Sequence, residues 1–370
     1  MNILYLVNHL NIGGITSYVF SLANNLKKRG HKVFVASSGG ELLPQFLKED
    51  INCILLPLDT KQEIGLKIWR CLFKLSFFIK QYEIDLVHSN TRTTQVLGYL
   101  LKKKTGVCYI STCHGFFKRR LLRKIFPCWG KRVIAISKDV KEHLVKDFRV
   151  PERNIHLVLN GVDVERFRIS EYQNIRISKR KDFGLKEGPI VGIISRLSKE
   201  KGHIYLIEAM KIVLEKIPQA QLVIVGDGRQ REKLKKLVWN LGLEENVFFF
   251  PSLADTREIL ALIDVFVLPS LKEGLGLALL EAMACGCAVI GSAVGGIKNV
   301  IQEGINGLLV RPQDTRDLAA KILELLVDQE KRKSLGRRAQ IFVSENFSLE
   351  KMVLETERVY LECLGERYAV

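Results

Sequence analysis

Pro269-Ser270-Leu271-Lys272-Glu273-Gly274-Leu275-Gly276 runs without a break into Leu277-Ala278-Leu279-Leu280-Glu281-Ala282-Met283-Ala284 and stops at Cys285-Gly286. The second octet holds strong helix formers and no breaker, so a helix is expected over 277–284 with its end at the cysteine and glycine. Val265-Phe266-Val267-Leu268, just upstream, has the β-branched and aromatic content of a buried strand. Strand, glycine-punctuated turn and helix in that order form the building unit of a parallel α/β sheet. The first N–H groups of such a helix lack internal partners and sit at the positive end of its dipole, which suits an anion. Glu273 in the turn and Glu281 on the helix would stand roughly 10–12 Å apart along that axis, far enough to meet opposite ends of an extended phosphate-linked ligand. A solvated helix face behind an ordinary turn is the alternative for this stretch taken alone.

The same grammar extends in both directions. Downstream of residue 188, strands are expected at 190–194, 221–225, 247–250, 265–268 and 288–292, separated by helices at 203–216, 230–241, 256–263 and 277–284. Upstream, apolar runs at 3–7, 32–36, 53–56, 86–88, 108–112, 132–136 and 156–159 alternate with amphipathic segments at 16–29, 67–81, 94–103 and 138–147. Residues 168–188 are polar and read as an exposed connection. Two doubly wound α/β domains follow: residues 1–168 and residues 186–347, with a charged amphipathic helix over 348–370 after all the strands. The carboxyl ends of both sheets would then face a shared cleft, the place where such sheets bind ligands.

Composition bounds the function. A chain of 370 residues exceeds one ordinary core and suits two. The longest apolar run, near 72–79, is interrupted by Lys74 and Lys80, short of the ~18 residues of a membrane span. Met1-Asn2-Ile3-Leu4-Tyr5-Leu6-Val7 has no basic leader and reads as a first buried strand, so a cytoplasmic protein is expected. Eight cysteines without C-x-x-C spacing imply reduced thiols, not a disulfide framework or a zinc site. Charge is lopsided: residues 1–180 hold 31 Lys and Arg against 14 Asp and Glu, whereas residues 181–370 hold 26 of each. The excess includes Lys102-Lys103-Lys104 and the run 118–124 (KRRLLRK), near Phe116, Phe117, Phe126 and Trp129. Cations interleaved with aromatics suit an anionic membrane surface. A solvated helix face and nucleic acid are the alternatives, and no zinc finger or RNA-recognition signature supports the latter, so no nucleic-acid partner is expected.

Several loops at strand ends carry polar chemistry. Ser195-Arg196-Leu197-Ser198-Lys199-Glu200-Lys201-Gly202 leaves the strand at 190–194 with an arginine and, five residues on, a lysine beside glycine. Arg grips phosphate through a planar fork and Lys through a mobile point charge, so Arg196 and Lys201 are candidates for neutralising a diphosphate; a plain basic loop is the alternative. The chain has no D-x-D pair and no dense acid or histidine cluster, so no metal is expected, and no Walker A motif supports an ATPase. Gly226-Asp227-Gly228 and Gly295-Gly296 follow strands and would allow close backbone approach. Gly13-Gly14 follows the first strand but lacks the full G-x-G-x-x-G of a dinucleotide site. His114-Gly115 ends the strand at 108–112; His114 is either structural or a site residue.

Taken together, Gly13-Gly14, His114-Gly115, Asn160-Gly161-Val162-Asp163, Ser195-Arg196-Leu197, Lys201-Gly202, Gly226-Asp227-Gly228, the spaced pair Glu273 and Glu281 within E-G-x-G-x-x-x-x-E-A-M-A-C-G, and Asn306-Gly307-Leu308-Leu309-Val310 resemble the retaining glycosyltransferases of family 4. That family has the two-Rossmann GT-B fold, and the likeness spans nearly the whole chain. The resemblance implies that the second domain holds a nucleotide-diphosphate sugar and the first receives the acceptor. Arg196 and Lys201 would hold the diphosphate, Glu273 the donor sugar and Glu281 the ribose. The backbone at Gly274, Leu275, Gly276 and Leu277 would support sugar and phosphates, Phe250 would lie near the base, and His114 and Gly14 would face the donor sugar. The tail helix would cross back onto the first domain. Two positions depart from the family pattern: Lys298-Asn299 stand where Pro-Glu is common, and Pro251 where a glycine often follows the base-side strand.

The resemblance further implies retention at the anomeric carbon, with the leaving diphosphate accepting the acceptor's proton and Glu273 acting as an orienting group; a double displacement through a carboxylate stays open. The expected protein is a metal-independent hexosyltransferase that needs no cofactor beyond its nucleotide-sugar substrate. It would work peripherally on the inner face of the cell membrane, on a lipid-linked glycan or glycolipid acceptor for cell-surface polysaccharide. A soluble transferase or phosphorylase acting on a small sugar or protein, and a non-catalytic module binding an anionic polymer, are the alternatives.

Overall fold

A computed structural model describes residues 1–60, 62, 63, 65–118, 123, 125–168 and 176–365. The chain divides into two compact units, residues 1–160 with 350–370, and residues 161–349.

In the first unit seven parallel strands stand in the order β3-β2-β1-β4-β5-β6-β7: β1 Asn2–Leu6, β2 Lys32–Ser37, β3 Asn52–Leu55, β4 Leu86–Ser89, β5 Cys108–Cys113, β6 Arg132–Ala135 and β7 Ile155–Leu157. In the second, six parallel strands stand in the order β10-β9-β8-β11-β12-β13: β8 Ile190–Ile194, β9 Gln221–Val225, β10 Val247–Phe250, β11 Val265–Leu268, β12 Ala288–Ser292 and β13 Leu308–Val310. Both orders reverse once, at β1/β4 and at β8/β11, and loops leaving the carboxyl ends at such a reversal diverge to open a crevice.

Helices cover both sheet faces, which is why the central strands read as continuous apolar runs. In the second unit Val191, Ile193, Leu222, Ile224, Val265 and Val267 are buried against Leu206, Met210 and Val213 of helix His203–Lys216 and Leu318 and Ile322 of helix Thr315–Val327. Truncating such a side chain to Ala costs about 2–5 kcal/mol. Helix starts follow local chemistry: Ser137 accepts from the Val140 N–H before helix Lys138–Phe148, and Asp314 accepts from the Asp317 N–H before helix Thr315–Val327.

The structure adds to the sequence in several places. β13 is a sixth strand and Leu43–Lys48 a helix beyond those expected from the sequence pattern. The stretch 168–188, expected as an open connection, contains helix Arg176–Asp182, where Lys179 pairs with Glu258 at 3.0 Å and with Asp182 at 3.5 Å. Residues 161–168 sit in the second unit because Val162 donates to the Phe347 carbonyl at 2.8 Å and accepts from the Leu349 N–H at 3.0 Å.

Helix Leu349–Leu364 belongs, from Glu350 onward, to the first unit. Arg29 and His31 both pair with its Glu357 at 2.6 Å, and the Tyr360 hydroxyl bonds the Tyr5 hydroxyl at 2.8 Å and His88 Nδ1 at 2.6 Å. Residues 366–370 of the expected tail helix lie outside the described residues, as do 119–122 and 124 of the basic run. The rings near that run pack on protein: Phe117 lies 6.0 Å from Trp129 and 6.5 Å from Phe148, and Phe126 lies 5.1 Å from Tyr99. Among the described residues no helix is long and apolar enough to cross a membrane.

Candidate active site

Strands β8 and β11 are neighbours, so the loops leaving their carboxyl ends emerge side by side. The first carries Arg196 and Lys201; the second carries Glu273. Two contacts tie these loops together. The Leu271 N–H donates to the Glu200 carbonyl at 2.8 Å. Gly202, at φ +71°, lies so close to Pro269 that a Cβ there would stand 1.9 Å from the Pro269 carbonyl oxygen. Only glycine meets both conditions, the left-handed backbone and the close approach.

The tie brings Lys201 and Glu273 into an ion pair, with Nζ on Oε2. Side-chain exposure is 22% for the lysine and 11% for the glutamate, so the pair is largely withdrawn from water. The Glu273 carboxylate also accepts from Ser270 Oγ at 3.4 Å and from the Gly274 N–H at 3.2 Å. Arg196 is exposed and, among the described residues, makes no ion pair. Its loop is braced from β9: the Ser195 N–H donates to the Val225 carbonyl at 3.0 Å and the Leu197 N–H to that of Asp227 at 2.9 Å. Asp227 is held in turn by the Ser252 N–H at 2.7 Å. Ser195 Oγ meets Nε2 of His203 at 3.1 Å; burial, and then the Lys201 charge, push this imidazole down to about 4, so it is neutral.

Helix Leu277–Ala284 starts beside Glu273. Gly276 precedes it at φ +92° and, among the described residues, no side chain caps it, so the first-turn N–H groups of Leu277 and Ala278 can meet an external acceptor. The turn is pressed into place from β12: the Gly296 N–H donates to the Glu273 carbonyl at 3.1 Å, and a Cβ on Gly296 would lie 2.2 Å from the Gly274 carbonyl oxygen. Leu275 is buried, so that position offers backbone only. The structure therefore brings Lys201, Glu273 and the residues from Gly274 to Leu277 together, with Arg196 on the same loop as Lys201.

Glu281 is one helical turn and more away and has separate neighbours. Its carboxylate accepts from Thr256 Oγ1 at 3.2 Å. Next to Thr256, Asp255 is gripped by Arg257 at 2.5 Å and by Arg166 at 3.3 Å. Burial pushes the Glu281 carboxyl up to about 7, partly countered by the Thr256 bond and Arg166, with Asp255 adding to the rise. Arg166 and the run Asp255-Thr256-Arg257 were not singled out from the sequence; they come from two segments far apart in the chain and share no motif. Phe250 ends β10, two strands from β8, with its ring edge-on to Phe183 at 5.4 Å.

In the first unit the corresponding sheet reversal lies between β1 and β4. Gly14, expected in a loop, is the first residue of helix Gly14–Lys28, and both Gly13 and Gly14 are exposed. His114, just past β5, is half-buried; its Nε2 meets Asn90 Oδ1 at 3.0 Å and its ring stands edge-on to Tyr18 at 4.7 Å. Burial pushes the imidazole down to about 3, so it is neutral. With Nε2–H donated to Asn90, its Nδ1 is left as an acceptor. Behind it Tyr18 meets Thr112 Oγ1 at 3.4 Å, and Thr112 meets His88 Nε2 at 2.7 Å. Among the described residues no group of three His, Cys, Asp or Glu side chains is placed to hold a metal ion.

Two doubly wound parallel units, each with polar loops at its sheet reversal, are the architecture of the GT-B glycosyltransferases. Residues 175–342 match the family Glycosyl transferases group 1, and residues 12–166 match Glycosyltransferase Family 4. N-acetyl-alpha-D-glucosaminyl L-malate synthase of Bacillus anthracis is 35% identical over 96% of each chain. The UDP-Gal:alpha-D-GlcNAc-diphosphoundecaprenol alpha-1,3-galactosyltransferase of Escherichia coli is 28% identical over 86% of each. The crystal structure of a glycosyltransferase from Rickettsia africae superposes with a TM-score of 0.87 at 26% identity, covering 99% of each chain. The chain belongs to glycosyltransferase family 4 and is an enzyme.

Proposed function

We propose that this enzyme moves a sugar from a nucleoside diphosphate sugar to a hydroxyl of a lipid-linked glycan, with retention at the anomeric carbon and without a metal ion. The observation that carries the reading is the junction at β8/β11, where Lys201, Glu273 and the uncapped start of helix Leu277–Ala284 meet, with Arg196 on the adjoining loop. Arg196, Lys201 and the first-turn N–H groups supply positive charge for a diphosphate, the duty a divalent cation would otherwise perform. Glu273 is spoken for by Lys201, Ser270 and Gly274, which suits a group that orients the donor sugar better than a free nucleophile.

In this mechanism the bond from the anomeric carbon to the β-phosphate oxygen breaks while the acceptor oxygen bonds the same carbon from the same face. The acceptor's proton passes to the departing phosphate oxygen. Glu281 takes the ribose hydroxyls, Phe250 lies toward the base, and His114 with Gly14 attends the donor sugar. His114 is neutral, so its role is to accept or position a hydroxyl, not to supply positive charge.

The lipid-linked acceptor is supported by the basic first half of the chain and by the diphosphoundecaprenol acceptor named for the Escherichia coli relative. The first unit would work against an anionic membrane surface from the cytoplasmic side. A small soluble acceptor is the second reading, favoured by the L-malate named for the Bacillus anthracis relative. Thermal-shift screening against UDP, GDP, ADP and CMP sugars tests the donor; a specific donor raises the melting temperature by mass action. Product analysis by NMR with that donor reads the anomeric configuration. Turnover that a chelator abolishes and a divalent ion restores would overturn the metal-free mechanism.

A further inference from the structure

Helix Leu66–Gln81 is amphipathic in the usual sense on its inner face, where Ile68, Leu72, Leu75 and Ile79 join the core of the first unit. Its outer face is not polar. Leu66, Phe73 and Phe77 lie along one line, opposite the buried set, and are 79%, 61% and 70% exposed. Trp69, 47% exposed, borders that line. Single exposed apolar residues need no explanation, but four in helical register on one crest mark an interaction surface.

The charges around the crest select the partner. Arg70 and Lys74 are exposed on one flank and Lys80 on the other, and the helix contains no acidic residue. Helix Arg92–Thr105, packed alongside, also has no acidic residue and ends in exposed Lys102-Lys103-Lys104. It joins the same surface, because Lys104 Nζ stands 3.5 Å above the centre of the Phe73 ring. Rings on the crest with cations on the flanks is the arrangement of a helix lying in a bilayer interface, where aromatic side chains enter the acyl boundary and lysines reach headgroup phosphates. A nucleic-acid surface would put the cations on the crest, to meet the backbone. A second copy of this chain would set cationic flank against cationic flank.

We infer that the outer face of helix Leu66–Gln81, with the lysines ending helix Arg92–Thr105, is the membrane-docking surface of this enzyme, and that its partner is an anionic lipid bilayer. This rests on the membrane reading proposed above and gives it an address: the docking rings are Trp69, Phe73 and Phe77, not the mutually packed rings of Phe117 and Trp129. The surface holds none of the proposed donor-binding residues, so docking and donor binding are separable by mutation.

The test is flotation of the full chain with vesicles of phosphatidylcholine alone and of phosphatidylcholine mixed with phosphatidylglycerol. Wild type is expected to float with the mixed vesicles only. The exposed double variant Phe73→Ser/Phe77→Ser should lose about tenfold or more in partitioning while its nucleotide-sugar thermal shift is unchanged. Tryptophan emission should be quenched by brominated acyl chains, and Trp69→Phe, which keeps an apolar ring, should float normally but lose that quenching. If wild type floats and the double variant floats equally well, the membrane reading stands and this surface assignment fails. If wild type floats with neither vesicle, both fail. Loss of a dimer in the double variant, or tighter binding of wild type to an RNA oligonucleotide than to mixed vesicles, would also overturn the assignment.

Discussion

Lys201 and Glu273 form an ion pair mostly closed to water, so an anion arriving at Lys201 competes with a carboxylate already there, whereas Arg196 is exposed and makes no ion pair among the described residues. The two cations should therefore fail differently when removed. Arg196→Ala is expected to leave the melting temperature unmoved and to raise the donor KM. Lys201→Ala strips the partner from a withdrawn Glu273 carboxylate, which costs about 1–3 kcal/mol of stability, and should lower kcat by about 10²–10³. Steady-state kinetics beside thermal melts separates the two outcomes, and equal effects on KM alone would contradict the assignment.

Glu281 makes a pH prediction. Its carboxyl is raised by burial from the ordinary range to about 7, so the folded chain keeps a proton that the unfolded chain releases. That contribution to stability is complete below the unfolded value, about 4.5, and is lost as pH climbs through about 7. Glu281→Gln cannot ionise yet can still accept from Thr256. It should match wild type near pH 5 and melt about 2–6 °C higher near pH 8. Ribose hydroxyls donating to Glu281 would favour its ionised form, so donor binding below about pH 7 should release a proton. Calorimetric titration in buffers of different ionisation enthalpy measures that release; none, with unchanged affinity between about pH 6 and pH 8, would remove Glu281 from the ribose site.

At the scale of elements, the site depends on loops pressed together by glycines more than on any side chain. Gly202→Ala would drive a Cβ against the Pro269 carbonyl at a left-handed φ of +71°. It should cost about 2 kcal/mol or more and separate Lys201 from Glu273, weakening donor affinity even though both residues remain. Gly184→Ala, also at positive φ (+63°) but with open space around its Cβ, is the control for backbone strain alone. Equal loss of affinity in both variants would contradict the loop argument.

This dependence also explains what the sequence made legible. β8, β9, β10, β11 and β12 occupy the spans expected from their apolar runs, because strands buried on both faces announce themselves by hydrophobicity. β13 is three residues between Gly307 and Arg311, too short for any period to show. Lys201 and Glu273 were each legible as candidates because a glycine marks each loop. Their mutual pairing was not, since it is fixed by the β8/β11 adjacency across more than 70 residues of chain. Arg166, Asp255 and Thr256 were invisible for the same reason: each is an ordinary polar residue until the fold brings it beside Glu281.

At the scale of the molecule, the chain crosses from one unit to the other twice, and its last described helix closes the first unit. Helix Leu349–Leu364 brings Glu357 to Arg29 and His31, and Tyr360 to Tyr5 and His88, all fully within that unit. Residues 161–349 keep a core of their own without it. Calorimetry of the full chain should resolve the two units as components of the transition, and a bound donor nucleotide should raise the component that belongs to residues 161–349 by RT ln(1 + [L]/Kd). Tyr360→Phe deletes one hydroxyl and leaves the buried Tyr5 hydroxyl and His88 Nδ1 without it, a loss of about 1–3 kcal/mol confined to the first unit. It should lower that unit's component alone. Because His88 bonds Thr112, and Thr112 meets the Tyr18 that stands against His114, kcat should fall as well, with the Kd of the bare nucleoside diphosphate unchanged. A shift in the nucleotide-stabilised component, or a change in the Kd of the bare nucleoside diphosphate, would show that the terminal helix serves the second unit and not the first.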